Sequence, residues 1–168
     1  MAKKKQTKEI EKALKLSPKP VWDHLSERER KKALEFCEGY KDFLDAARTE
    51  REAVREIVSL AKAKGFSESP SKTPAKYLRI NREKSVALAI VGSKPLTEGF
   101  RIVISHIDAP RLDLKQNPLY EDVDLALLRT HYYGGIKKYQ WVAIPLAIHG
   151  TIIKKDGSKL NLVIGEEE

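Results

Sequence analysis

The sequence is poor in cysteine and in long apolar runs. Cys37 is its single cysteine in 168 residues, so an internal disulfide is excluded and a reducing compartment is favoured. No secretory hydrophobic region and no apolar run of membrane-spanning length is present. We therefore expect a soluble, cytoplasmic protein with no membrane partner. Cys37 lies among apolar residues in a helical pattern, which predicts a small core residue rather than a nucleophile.

Acidic residues are outnumbered by basic ones. The chain has 32 Lys and Arg against 24 Asp and Glu, a formal net charge of +8. A basic excess is one signature of nucleic-acid binding. Here, however, no aromatic residues alternate with the basic ones, as a stacking platform for single strands would require. A solvated tail and helix surface are therefore favoured over a nucleic-acid partner. The excess is concentrated at Lys3, Lys4, Lys5, Lys8, Arg28, Arg30, Lys31 and Lys32.

The first third of the chain has a helical pattern. Residues 1–19 are a basic tail, with a short helix predicted over 9–16. Ser26 with Glu29, and Thr49 with Glu52, have the spacing of capping boxes, so a helix is predicted to start at each. Apolar or small residues then recur at helical spacing, which is typical of a face that packs on other elements and not of a chemical site. They are Ala33, Cys37, Tyr40, Leu44 and Ala47, then Val54, Ile57, Val58 and Ala61, with Gly65 as the stop.

The remainder is rich in predicted strands. The run 86–91 is apolar at every position, which predicts a strand covered on both faces inside an α/β sheet. Asp156-Gly157 predicts a tight hairpin turn between two alternating runs. Gly134-Gly135 lacks the spacing and the Lys-Ser/Thr ending of a phosphate loop, so a turn with positive φ is favoured. The predicted strands are 77–81, 85–91, 99–105, 125–130, 141–153 and 160–164.

His106 and Asp108 follow the predicted strand 99–105 directly. The carboxyl end of a strand is where open α/β sheets place their ligands, and residues two apart in extended chain project to the same side. Imidazole binds zinc and similar ions, while a carboxylate either coordinates the ion or orients the imidazole. On spacing alone a metal-free surface pair is favoured, since a metal site needs three or four ligands.

Three stretches together resemble the M18 family of two-metal aminopeptidases, in its prokaryotic branch. The run His106-Ile107-Asp108-Ala109-Pro110-Arg111-Leu112 is similar to the family's first metal-binding motif. The runs 130–141 and 145–150 are similar to its Gly-rich, Trp-containing stretch and to the segment that leads into a β-hairpin. The resemblance covers the chain from about Trp22 onward. It implies an α/β fold: 20–118 as helices and part of the mixed sheet of a zinc-peptidase catalytic domain, and 119–168 as the first part of a β-rich inserted domain.

The resemblance also implies a chemistry. His106 would bind one of two divalent ions, zinc or else cobalt or manganese, and Asp108 would be the catalytic carboxylate that orients it. Such enzymes remove N-terminal residues from peptides. The bridging Asp, the general-base Glu with its neighbouring ligand, a further Asp and a final His lie downstream in the family, and this chain stops before them. We therefore expect weak metal binding or none, and no peptidase activity, from this chain alone.

The residues alone leave three functions open. The chain is either part of an aminopeptidase, with a homo-oligomer or a complementary C-terminal chain as the expected partner, or a non-catalytic association module. A nucleic-acid-binding remnant is the weaker alternative. Exposed apolar strands are expected to drive association in either of the first two cases. His131 and His149 lie outside the first motif, and each is predicted to be a structural histidine rather than a ligand.

Overall fold

The computed structural model describes residues 10, 14–16 and 18–166. Most of the helix predicted over 9–16 lies outside these residues, as do Glu167 and Glu168. The chain divides into two compact units, Met1–Lys41 and Asp42–Glu168. Among the described residues, no helix has both the length and the apolarity that a bilayer crossing would require.

The first unit begins with a 3₁₀ turn, Val21–His24, followed by the start of helix α1 (Glu27–Ala46). The backbone N–H of Ser26 donates to Glu29 Oε2 at 2.8 Å, and the N–H of Glu29 donates to Ser26 Oγ at 3.4 Å. These reciprocal bonds satisfy amides that a helix start otherwise leaves without partners, so the predicted capping box is confirmed.

Helix α1 exposes the stripe that its sequence pattern predicts to be buried. No residue of the helix is buried, and Cys37 is exposed, so its prediction as a core residue is wrong. An amphipathic face is buried only where another element covers it. Of the predicted stripe, Cys37, Tyr40 and Leu44 are exposed, and Ala33 and Ala47 are half-buried.

Helix α2 (Glu50–Ala63) has the better-covered face. Thr49 caps it in the predicted capping box with Glu52, and Gly65 follows its end with φ 82°. Its stripe packs on the hairpin of β1 (Lys76–Asn81) and β2 (Ser85–Ile90). The buried apolar residues of the described chain all belong to this helix and hairpin: Ala53, Val54, Ala61 and Leu78.

Strand β2 is covered less than its sequence predicts. It pairs antiparallel with β1, with Leu78 opposite Leu88, and Leu88 and Ile90 remain exposed. The prediction of a strand covered on both faces is therefore wrong for the described chain. A run that is apolar throughout needs a layer on each face, and α2 supplies only one contact surface.

Two further hairpins complete the second unit. Strand β3 (Arg111–Asp122) pairs with β4 (Leu125–Tyr133), and β5 (Ile148–Ile153) pairs with β6 (Lys159–Ile164) around the predicted Asp156-Gly157 turn. A four-residue helix, α3 (Lys138–Trp141), lies at the start of the segment predicted as strand 141–153, of which only β5 is a strand. All three sheets of the described chain are antiparallel pairs. The predicted domain boundary at 118/119 falls within β3 and stays a prediction.

Many large apolar side chains of the described chain are exposed, among them Ile102, Val103 and Ile104. The presence of both helices and β-hairpins along the chain agrees with the predicted α/β class. Many apolar side chains that such a fold normally buries are exposed to solvent in the described residues.

Candidate metal site

The segment before His106 is not a strand. Residues 99–105, predicted as a strand, have no regular secondary structure, and Val103 and Ile104 are 96% and 87% exposed. A β-strand is defined by its hydrogen bonds to a neighbouring strand, and no described strand pairs with this segment. The alternating sequence is therefore suited to a sheet that this chain does not itself complete.

His106 and Asp108 nevertheless come together. Nδ1 of His106 lies 3.0 Å from the backbone carbonyl oxygen of Asp108 and 3.3 Å from its Oδ1. Because a carbonyl oxygen only accepts, the Nδ1 proton must donate, and Nε2 keeps its lone pair. The imidazole is 81% exposed. The site thus presents one oriented nitrogen to solvent, which is the arrangement a metal-ligating histidine requires.

Tyr133 holds the carboxylate from the other side. Its hydroxyl donates to Asp108 Oδ2 at 2.7 Å. This hydrogen bond is the main cause that lowers the pKa of Asp108 below its ordinary value of 3.8, and it raises the pKa of Tyr133. Asp108 is therefore a carboxylate at neutral pH and can accept from the imidazole. The sequence assigns Tyr133 no role, and its place before Gly134 in the second motif is the one signal that singles it out.

Arg111 connects this group to helix α2. Its guanidinium lies 4.2 Å from the centre of the Tyr133 ring. It also pairs with Asp113 at 2.7 Å and with Glu50 at 3.1 Å. Burial would lower the pKa of Arg111, but the hydrogen bond and charges of these carboxylates raise it. A cation over an aromatic face and between two carboxylates has one favoured position, so Arg111 fixes the Tyr133 ring.

The donor set suits a metal but does not complete a site. His106 offers one nitrogen and Asp108 one carboxylate, whereas a catalytic zinc takes three protein ligands. The described residues include no cluster of three or more His, Cys, Asp or Glu side chains able to hold an ion. The roles of His106 and Asp108 toward a metal remain predictions.

His149 has a separate and structural set of partners. Its Nδ1 lies 2.8 Å from Glu52 Oε1 and its Nε2 3.1 Å from Glu166 Oε1, and its side chain is 11% exposed. Arg48 pairs with the same Glu166 oxygen at 3.1 Å. Both ring nitrogens face acceptors, which suits the doubly protonated ring. The prediction of a satisfied structural histidine is confirmed for His149.

Charges around His149 favour its protonated form. Burial would lower its pKa, but the hydrogen bonds and charges of Glu52 and Glu166 outweigh burial and raise it above 6.5. Burial likewise would raise the pKa of Glu52, and its bonds to His149 and Thr49 lower it instead. The same carboxylate therefore caps α2 and anchors β5.

The structure also locates the turn predicted at Gly134-Gly135 and the second predicted structural histidine, His131. Gly134 has φ 73°, and a Cβ added there would approach the Cα of Pro110 to 3.4 Å, so the turn prediction is confirmed at this glycine. His131 is exposed on β4 and stacks on Tyr132 with ring centres 5.3 Å apart. It does not join the His106 group.

Known proteins similar to this chain include members of one named family. The profile of "Aminopeptidase I zinc metalloprotease (M18)" matches residues 43–167. A "Probable M18 family aminopeptidase 1" of Clostridium acetobutylicum is 46% identical over 158 residues, which cover 89% of this chain and 34% of that protein. The chain thus spans about a third of the length of such relatives.

Solved structures agree with this likeness. The crystal structure of aminopeptidase I from Borrelia burgdorferi B31 matches with a TM-score of 0.80 and 42% identity, over 89% of this chain and 38% of that one. The M18 aminopeptidase of Thermotoga maritima matches with a TM-score of 0.78 and 41% identity, over 91% of this chain and 34% of that one. The resemblance that the motifs indicate is confirmed, and the chain belongs to the M18 family of aminopeptidases.

Proposed function

We propose that this chain forms one part of the metal centre of an aminopeptidase that removes N-terminal residues from peptides. His106 supplies a metal ligand through Nε2, and Asp108 orients its ring. The observation that carries the proposal is the contact of Nδ1 with Asp108, which leaves Nε2 free at the surface. Bound divalent ions would activate a water and polarise the scissile carbonyl, and zinc is the first candidate.

The remaining ligands and the general base would come from sequence corresponding to the other two thirds of the M18 relatives. One imidazole and one carboxylate bind a metal weakly, since structural and catalytic sites gain their affinity from several ligands at once. The chain is therefore a contributor to an active site rather than an enzyme alone. A cytoplasmic location is proposed with it, because a chain whose one cysteine has no internal partner for a disulfide suits a reducing compartment.

The isolated 168-residue chain is expected to show no turnover of aminoacyl-anilide or dipeptide substrates with zinc, cobalt or manganese. The matched test is a chimera in which this chain replaces the corresponding third of the Clostridium acetobutylicum relative. The two are 46% identical over this region, so the chimera is expected to fold and cleave the same substrates. Steady-state kinetics on both proteins decide the matter: turnover by the chain alone, or a folded but inactive chimera, would contradict the proposal.

Association is proposed as the second property of the chain, in a homo-oligomer or with a complementary C-terminal chain. The exposed segment 99–105 supports it, because an unpaired segment with alternating apolar side chains is suited to pairing with another strand. Phe100 and Ile102 are 72% and 66% exposed, in addition to Val103 and Ile104.

We expect the purified chain to elute as a dimer or larger species in size-exclusion chromatography with light scattering. The double substitution Val103→Thr and Ile104→Thr should shift it toward monomer, because it removes apolar area without changing charge. Val142→Thr is the matched control, since Val142 is 84% exposed but lies outside the segment. A monomeric wild-type chain at high concentration would contradict this expectation.

A further inference from the structure

The loop that contains His106 and Asp108 gains its order from the base of the β3–β4 hairpin. Residues 101–110 have no regular secondary structure, so no ladder of their own fixes the two side chains. The hairpin begins and ends beside them: Arg111, the first residue of β3, is paired with Tyr133, the last residue of β4. The register therefore places Tyr133 next to the loop.

Two contacts join the hairpin base to the loop. Gly134 lies against Pro110 so closely that an added Cβ would be 3.4 Å from the proline Cα and 3.5 Å from its Cγ. Tyr133, one residue earlier, donates its hydroxyl to Asp108 Oδ2 at 2.7 Å. The first contact sets the path of the backbone, and the second sets the angle of the carboxylate.

The hydroxyl of Tyr133 determines which oxygen of the Asp108 carboxylate faces His106. Oδ2 accepts from Tyr133, so Oδ1 is the oxygen turned to His106 Nδ1, at 3.3 Å. The same Nδ1 lies 3.0 Å from the backbone carbonyl oxygen of Asp108, which accepts its proton. Without that donor, the carboxylate of Asp108 is free to rotate about its terminal torsion, which has broad energy wells. Arg111 in turn restrains the phenol ring, since its guanidinium lies 4.2 Å from the ring centre.

We propose that Tyr133 is a positioning residue: it holds the carboxylate of Asp108 with Oδ1 toward His106, and that oxygen, together with the backbone carbonyl of Asp108, keeps the imidazole oriented with Nε2 outward. The inference rests on the proposed function, in which His106 is a ligand. Tyr133 donates to Asp108 and not to His106, so its effect on the imidazole passes through one carboxylate. Partners of this kind typically change metal affinity by 10- to 100-fold when removed.

The test uses the 168-residue chain and the variants Tyr133→Phe and Tyr132→Phe. Tyr133→Phe removes the hydroxyl but keeps the ring on which Arg111 lies. Tyr132→Phe is the matched control, because it removes a hydroxyl from the adjacent residue of the same strand. The readout is the ¹⁵N spectrum of the His106 ring without metal, assigned by His106→Ala, followed by titration with zinc chloride. Urea unfolding of each variant shows whether the fold is retained.

We expect the wild-type chain and Tyr132→Phe to show one neutral tautomer of His106, protonated at Nδ1. Tyr133→Phe should keep this tautomer, because the backbone carbonyl of Asp108 still accepts from Nδ1, but should bind zinc at His106 about 10-fold more weakly, with an unchanged unfolding transition. A Tyr133→Phe variant that binds zinc at His106 as tightly as the wild type would overturn the positioning role and leave the ligand role of His106 intact. If zinc perturbs His106 in neither the wild type nor the variant, it is the proposed metal role of His106 that fails.

Discussion

Replacing His106 by alanine in the clostridial chimera is expected to lower kcat/KM more than 100-fold and to reduce its bound zinc. Loss of an outer partner of a metal-ligating histidine already costs about 10- to 100-fold, and loss of the ligand itself should cost more. The effect should appear as a fall in metal content measured by mass spectrometry, alongside the kinetics. The kcat/KM of the Asp108→Asn chimera should lie between that of the unsubstituted chimera and that of the His106→Ala chimera. The amide keeps the size of the Asp108 side chain but lacks its charge.

The matched control for His106→Ala is His131→Ala in the same chimera. Both histidines are exposed, and His131 lies outside the group formed by His106 and Asp108. Its removal should leave kinetics and zinc content close to those of the unsubstituted chimera. Full activity and full zinc occupancy in the His106→Ala chimera would refute the ligand assignment. Equal losses in both variants would instead indicate damage to the fold.

Features of the chain that depend on near neighbours in sequence are predicted well. The capping boxes at Ser26 and Thr49 each need only one partner three residues away, and both form. The Asp156-Gly157 turn depends on the φ that glycine allows, here 83°. The proximity of His106 and Asp108 belongs to the same class, since two residues cannot separate far in any backbone conformation.

Features that depend on distant partners are predicted less well. The run 99–105 has the alternation of a strand, yet a strand needs a neighbour, and no described strand pairs with it. Cys37 has the spacing of a buried face but is exposed, because burial is a property of the covering element. Periodicity reports what a segment is suited to contact, and it does not report whether that partner lies within the same chain.

The partners of single polar side chains are the least predictable part of the site. Glu52 and His149 are 97 residues apart in sequence and 2.8 Å apart in the structure. Tyr133 reaches Asp108 across 25 residues. Neither pair has a spacing that any helix or turn imposes. The family resemblance brings the two segments around Asp108 and Tyr133 together as motifs, but the hydrogen bond between them is visible only in three dimensions.

His149 makes the stability of the second unit depend on pH. We expect His149→Gln to lower the free energy of unfolding by about 1.5–3 kcal/mol where the ring is charged, the usual contribution of hydrogen bonds to charged groups. Glu52 and His149 are 12% and 11% exposed, so solvent screens their interaction little. Arg48, at 3.1 Å from Glu166, supports the same cluster, and Arg55, at 3.8 Å from Glu52, competes with the imidazolium for that carboxylate.

The pKa shifts of the two residues define the pH range. The folded pKa of His149 is raised above 6.5, so its stabilisation is complete below about pH 6.5 and is lost as pH rises through the raised value. The pKa of Glu52 is lowered from 4.5, so its stabilisation is present above about pH 4.5 and is lost as pH falls through the lowered value. The difference between wild type and His149→Gln should therefore be greatest between these limits.

Urea unfolding of the two proteins at a series of pH values measures this difference directly. His24→Gln is the control, because His24 is exposed and lies in the other unit. Its stability should follow that of the wild type at every pH. A gap between wild type and His149→Gln that stays constant from mildly acidic to alkaline pH would show that the ring contributes by packing alone. A gap that narrows above pH 6.5 requires the charged ring between two carboxylates, the state that ties the cap of α2 to strand β5.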